Sequence, residues 1–126
     1  MREPVRDRRR LEHIIDAIDR VLESAKTMEF DDLCKDVLRY YGIVKCIEII
    51  GEASYRLTNR FRDAHPETPW LYIIKMRHIL VHDYYQIGAE DVWDVIQGDL
   101  APLREQIYKY LVETDWEAWK QQEEDK

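Results

Sequence analysis

Little in this sequence interrupts a helix or staples a chain. Four glycines and four prolines in 126 residues leave few places where helix must stop. Two cysteines, Cys34 and Cys46, are too few for a disulfide framework. If one helix carries both, its rise of about 1.5 Å per residue keeps them beyond disulfide reach, so they are expected to be core thiols. No stretch of eighteen apolar residues exists, and the opening "MREPVRDRRR" lacks the apolar segment of a signal peptide. The expectation is a cytoplasmic protein with no membrane partner.

What is present is 45% apolar and 36% charged residues, the balance of a helix-rich globular domain. The net charge of −7 argues against a nucleic-acid partner only at first sight. Glu113, Asp115, Glu117, Glu123, Glu124 and Asp125 against Lys120 and Lys126 place −4 in the last fourteen residues, leaving −3 on the rest. Arginines meanwhile cluster at Arg2, Arg6, Arg8, Arg9 and Arg10 and again at Arg56, Arg60 and Arg62, so local basic patches able to meet phosphate remain open beside the plainer reading of solvated faces.

Periodicity predicts an all-α, antiparallel helical bundle. Leu11, Ile14, Ile15, Ile18, Val21 and Leu22 make one amphipathic helix over about 5–26. A second is expected over about 30–57, starting near Asp31 and Asp32. Its apolar arc, from Leu33 through Ile50, is too wide for one neighbour and suggests burial against the bundle and a second subunit. Gly51 inside it suggests a close helix approach or a tolerated imperfection. "TNRFRDAHPETP" reads as a loop because of Pro66 and Pro69. A third helix starts near Pro69, with Trp70, Ile73, Ile74, Leu80 and Val81 as its core stripe, and ends around "QIG". The fourth pattern, Val92 to Leu111, should be kinked or divided near Pro102; Gly98 would end one piece and Asp99 cap the next. Residues 1–112 read as one helical domain and 113–126 as an acidic tail with a fraying end.

The chemistry concentrates in "KMRHILVHDYYQI", residues 75–87. Arg77 lies four residues after Ile73 and four before Val81, on the apolar stripe, where a charge needs a partner or a purpose. A structural reading pairs Arg77 with Glu48 or Glu52. A metal reading uses His78 and His82, four apart, but offers only Asp83 as a third ligand and neither HExxH nor a cysteine pair. A third reading is phosphoryl transfer on RNA. Attack by the RNA's own 2′-hydroxyl needs a base, an acid for the leaving 5′-oxygen, and a cation for the phosphorane, and histidine with arginine meets all three needs without a cofactor. Five residues turn a regular helix by about 140°, so Arg77 and His82 share a face only if the helix loosens. Otherwise a twofold axis must bring two sets together.

Arg77, four residues, His82, Asp83 and Tyr84 resemble the R-x4-H-x-Y motif of the HepT-like toxins, a branch of the HEPN ribonucleases. "EIIGEASYRLTNRFRDAHPETPW", "MRHILVHDYYQI" and "VWDVIQGDLAPLREQI" resemble that family in order, over roughly residues 5–112. The resemblance implies a homodimeric helical bundle and a type VII-like toxin that cuts RNA without a metal or other cofactor. Arg77 and His82 would be catalytic, with His78, where the family often has asparagine, and Glu48 in support. It further implies an MNT-type nucleotidyltransferase antitoxin that adenylylates Tyr84 and joins the dimer in a larger complex, with Tyr85 a lesser acceptor. The alternative is a catalytically silent HEPN module that binds a nucleotide or a protein, its Arg77 structural.

Overall fold

In the computed structural model the described residues are 6–82 and 88–124, with side chains described outside 77–82 and 121–124. All described regular structure is helical, and no described helix is long and apolar enough to cross a membrane.

Helix α1 (Arg6–Ala25) forms as its periodicity predicts, with Leu11, Ile14, Ile18 and Val21 buried along one stripe. The helix expected over 30–57 is two helices, α2 (Phe30–Lys35) and α3 (Val37–Arg56). Between them Asp36 leaves the helical region at φ −92°, ψ 92°, and its carboxylate accepts the Arg39 N–H at 3.0 Å. The apolar pattern runs unbroken across this joint, but a single aspartate that caps a new helix suffices to turn the chain. Cys34 therefore sits exposed on α2, not in the core, and Cys46 is half-buried on α3, where burial pushes its thiol pKa up.

The expected loop after α3 contains a short helix, α4 (Asn59–Ala64), capped by the Thr58 hydroxyl accepting from the Phe61 N–H at 3.1 Å. Its six residues end before Pro66, so the prolines do not oppose it. Helix α5 (Trp70–His82) follows directly on Pro69, as expected. The fourth pattern is α6 (Ala89–Asp94) and α7 (Leu100–Glu113) joined by a π-helical turn over Val95–Asp99. Gly98 does not end a helix, and the Asp99 side chain caps none. The wide turn, closed by the Leu100 N–H on the Val95 carbonyl, admits one extra residue just before Pro102, whose ring and missing N–H fit poorly in a regular turn. Helix α8 (Trp116–Glu124) occupies most of the segment read as an acidic tail, and its Trp116 and Trp119 pack on the core.

Helix α3 is the central wall. Its Ile43, Ile47 and Ile50 are buried, Gly51 is buried beside them, and it packs against α1 on one flank and α5 on the other. Helix α1 in turn packs against α7. The bundle is closed at one end by Asp7, which is fully buried. Its carboxylate accepts from the Thr58 N–H at 2.8 Å, the Thr58 hydroxyl at 2.7 Å and the Trp119 indole N–H at 2.9 Å. Beneath it Phe61 meets Trp70, Tyr110, Trp116 and Trp119 ring to ring. The Tyr110 hydroxyl is held between Thr68 and the Glu67 carboxylate.

Two outcomes are expected. Asp7→Ala strands three buried donors and should cost about 3 kcal/mol, read as a lower urea midpoint. Combined with Trp119→Ala it should cost less than the sum of the two, because they share one bond; strict additivity would remove Asp7 from this role. Burial pushes the Tyr110 pKa up to about 12. With the folded pKa above the unfolded value near 10, the associated stability is intact below about pH 10 and is lost as pH rises toward 12. Thermal unfolding between these pH values should therefore decline more steeply in the parent than in Tyr110→Phe, and parallel declines would contradict it.

Candidate active site

The motif lies on α5, whose start is firmly fixed. The Trp70 N–H bonds the Thr68 carbonyl at 2.8 Å, and the Trp70 indole N–H bonds the His65 carbonyl at 3.0 Å. Trp70, Ile73 and Met76 are buried, while Leu71, Tyr72 and Lys75 are exposed, which defines the two arcs of this helix. A further tie holds α5 to the π-helical turn: the Tyr72 hydroxyl donates to the Asp99 carboxylate at 3.0 Å. That bond, with burial and the Asp99 charge, raises the Tyr72 pKa. Asp99, expected as a helix cap, thus anchors α5 instead.

The backbone remains α-helical through His82. At about 100° per residue, position 77 falls between Trp70 and Ile73 on the buried arc, as its spacing predicts, whereas position 82 falls between Leu71 and Lys75 on the exposed arc. Position 78 lies near the boundary, four residues before 82 and on its side. The loosening of the helix that would bring Arg77 and His82 onto one face does not occur before His82. The side chains of Arg77, His78 and His82 lie outside the described set, as do Asp83, Tyr84 and Tyr85 altogether. Among the described residues no three His, Cys, Asp or Glu side chains gather as around a metal ion.

Glu48 is half-buried on α3, its carboxylate 3.4 Å from the Lys45 ammonium. It lines a cleft between α1 and α3 with Arg10, His13, Lys45, Glu52 and Arg56. Glu52 in the same cleft pairs with Arg56 at 3.0 Å. Along the sequence the arginines near residue 10 and near residue 56 are separate clusters; the fold makes them neighbours. The i, i+3, i+4, i+7 spacing of Arg6, Arg9, Arg10 and His13 carries a signal of this, since it sets all four on one side of α1.

Known proteins share this chain's pattern. The family model described as "Ribonuclease HepT-like" matches residues 14–110. A Thermococcus cleftensis protein named "Probable ribonuclease HepT" is 32% identical over 79% of this chain and 90% of its own length. A Caldanaerobacter subterraneus subsp. tengcongensis protein named "Putative RNase TTE0752" is 34% identical over 80% of this chain and 90% of its own. No solved structure matches the chain. An all-helical bundle with Arg77 and His82 on one helix, matched by that model over most of its length, belongs to the HepT-like ribonuclease family.

Proposed function

We propose that this protein is a metal-independent endoribonuclease toxin of a type VII-like toxin–antitoxin system, acting on RNA in the cytoplasm as a homodimer. The observation that carries the reading is the R-x4-H element on α5 of a HepT-like chain. Arg77 stabilises the charge that builds on the phosphate, and His82 transfers a proton, as base toward the 2′-hydroxyl or as acid toward the leaving 5′-oxygen. His78 supports it one turn away, and Glu48 supports it through its pairing with Lys45 on the helix along which α5 packs.

A dimer would reconcile the motif with the regularity of α5. One helix presents positions 77 and 82 on opposite arcs, so a twofold axis beside it offers the simplest common cleft, with one histidine as base and the other as acid. Exposed apolar side chains on α3 and α5, among them Leu38, Tyr41, Leu71 and Tyr72, are available to such an interface. An MNT-type nucleotidyltransferase antitoxin would silence the enzyme by attaching AMP to Tyr84. This sets a phosphate, ribose and base beside Arg77, by the charge logic of regulatory phosphorylation.

Arg77→Ala and His82→Ala should each lower RNA cleavage by roughly 100-fold or more while the helical dichroism persists. Cleavage by the parent should survive excess EDTA, leave a 2′,3′-cyclic phosphate and fail on DNA, which lacks the attacking hydroxyl. Parent-like cutting by both variants would refute the assignment, and a folded parent that binds but never cuts RNA would favour a silent binding module. For the control step, Tyr84→Phe should keep cutting and gain no AMP when coexpressed with the antitoxin; mass added at Tyr85 instead would move the acceptor.

A further inference from the structure

Resting on the ribonuclease reading, we infer that the groove between α1 and α3 is the track that holds the RNA backbone, with Arg6 and Arg9 of α1 and Lys45 of α3 as its phosphate contacts. The first observation is a convergence. The Asp7–Thr58 bonds, at 2.8 and 2.7 Å, pin the start of α1 to the end of α3, so two arginine clusters some fifty residues apart meet at one end of the bundle. The second is how the fold uses them. Arg62 turns its guanidinium to the carbonyls of Ser54 and Tyr55 and to the Asn59 side chain, and Arg60 stacks on the Trp119 ring at 3.5 Å and bonds the Trp119 carbonyl. Those two serve the structure. Arg6 and Arg9 are exposed, on the side of α1 that continues into Arg10 and His13 at the cleft wall.

The third observation is energetic. Arg6, Arg8, Arg9 and Arg10 crowd the first turns of α1, where the helix dipole favours acids and disfavours cations, and Asp7 is the acid found in the first turn. The Arg8–Glu12 pair, 3.5 Å apart with both side chains about half exposed, returns little stability for this arrangement. Positive charge kept where the helix opposes it, in a chain of net charge −7, fits a surface selected for a polyanion. Within the groove Lys45 and Arg56 are paired with Glu48 and Glu52, and the exposed Arg6 and Arg9 add positive charge on its α1 side, where Asp7 faces inward. The groove runs along α3 from Arg56 to Lys45. Helix α5, which carries the motif, packs on the same helix α3, so a strand laid in the groove is held on the element that supports the motif.

The test is a salt titration of binding to a fluorescein-labelled oligouridine, in the full chain carrying His82→Ala to prevent cutting. Arg6→Gln with Arg9→Gln should make the slope of log K against log salt shallower by about 1.4, because each phosphate neutralised on a single strand accounts for about 0.7. The control, Lys35→Gln with Lys109→Gln on α2 and α7, changes net charge equally on exposed positions away from the groove and should leave the slope alone. Unchanged slopes in the arginine variant, or equal changes in both, would overturn the track. Cleavage by chains with His82 intact separates the two claims. A parent that cuts with an unchanged arginine slope loses the track and keeps the ribonuclease, whereas a parent that never cuts yet shows the shallower slope does the reverse.

Discussion

A buried carboxylate at Asp7 organises this fold. It takes three donors from two places far along the chain, the N–H and hydroxyl of Thr58 and the indole of Trp119, and has no solvent to fall back on. Its partners are committed elsewhere as well. The Thr58 hydroxyl gives its proton to Asp7 and accepts the Phe61 N–H, so the same oxygen that closes the bundle starts α4 and aims Phe61 into the aromatic cluster. Hydrogen bonds chained in this way reinforce one another in a low-dielectric interior. Both Asp7 and Trp119 fall outside residues 14–110, the span matched by the family model, so the ends of the chain fasten a bundle whose middle carries the family pattern.

The sequence makes some of this legible and hides the rest for definite reasons. Helix α1 is readable because its buried stripe repeats without exception, and α5 because Pro69 marks its start. The break at Asp36 is hidden because apolar residues continue on both sides; only the capping preference of aspartate hints at it. Helix α4 is hidden because prolines downstream suggest a loop, although they constrain only the chain beyond Ala64. The π-helical turn answers the conflict at Pro102 by widening a helix where the pattern suggests dividing it, a choice that period counting cannot see. The bonds of Asp7 are invisible for a simpler reason. An aspartate in the first turn of a helix usually faces water and complements the dipole, and nothing local reveals that Trp119 will arrive from the other end of the chain. At the candidate site, the register of Arg77 on the buried arc is legible from spacing alone, while the joining of the two arginine clusters requires the fold.

The regularity of α5 constrains any chemistry assigned to it. Trp70, Ile73 and Met76 hold one arc against the bundle, and Tyr72 ties the other to Asp99, so rotating the helix to bring position 77 outward would expose the core and break that bond. Positions 77 and 82 of one chain therefore stand on different arcs of α5. On the proposed reading, the second subunit supplies geometry that the first cannot.

On the proposed reading helix α3 is the element that couples binding to chemistry. One flank forms the groove with α1, where the partly exposed Ile49 lies, and α3 also supports α5. Its buried side is closely constrained, since Ile47 and Ile50 have no exposure and Gly51 is buried with them. A close-packed interior transmits a shift in such a helix instead of absorbing it. A change of volume at Ile47 would displace both flanks together, whereas the same change at the exposed Asp31 or Lys35 of α2 would leave groove and motif in register. An acidic protein that must hold a polyanion gains from that rigidity, because a few cations at fixed spacing can match successive phosphates where the same charges on mobile segments would be screened by salt one at a time.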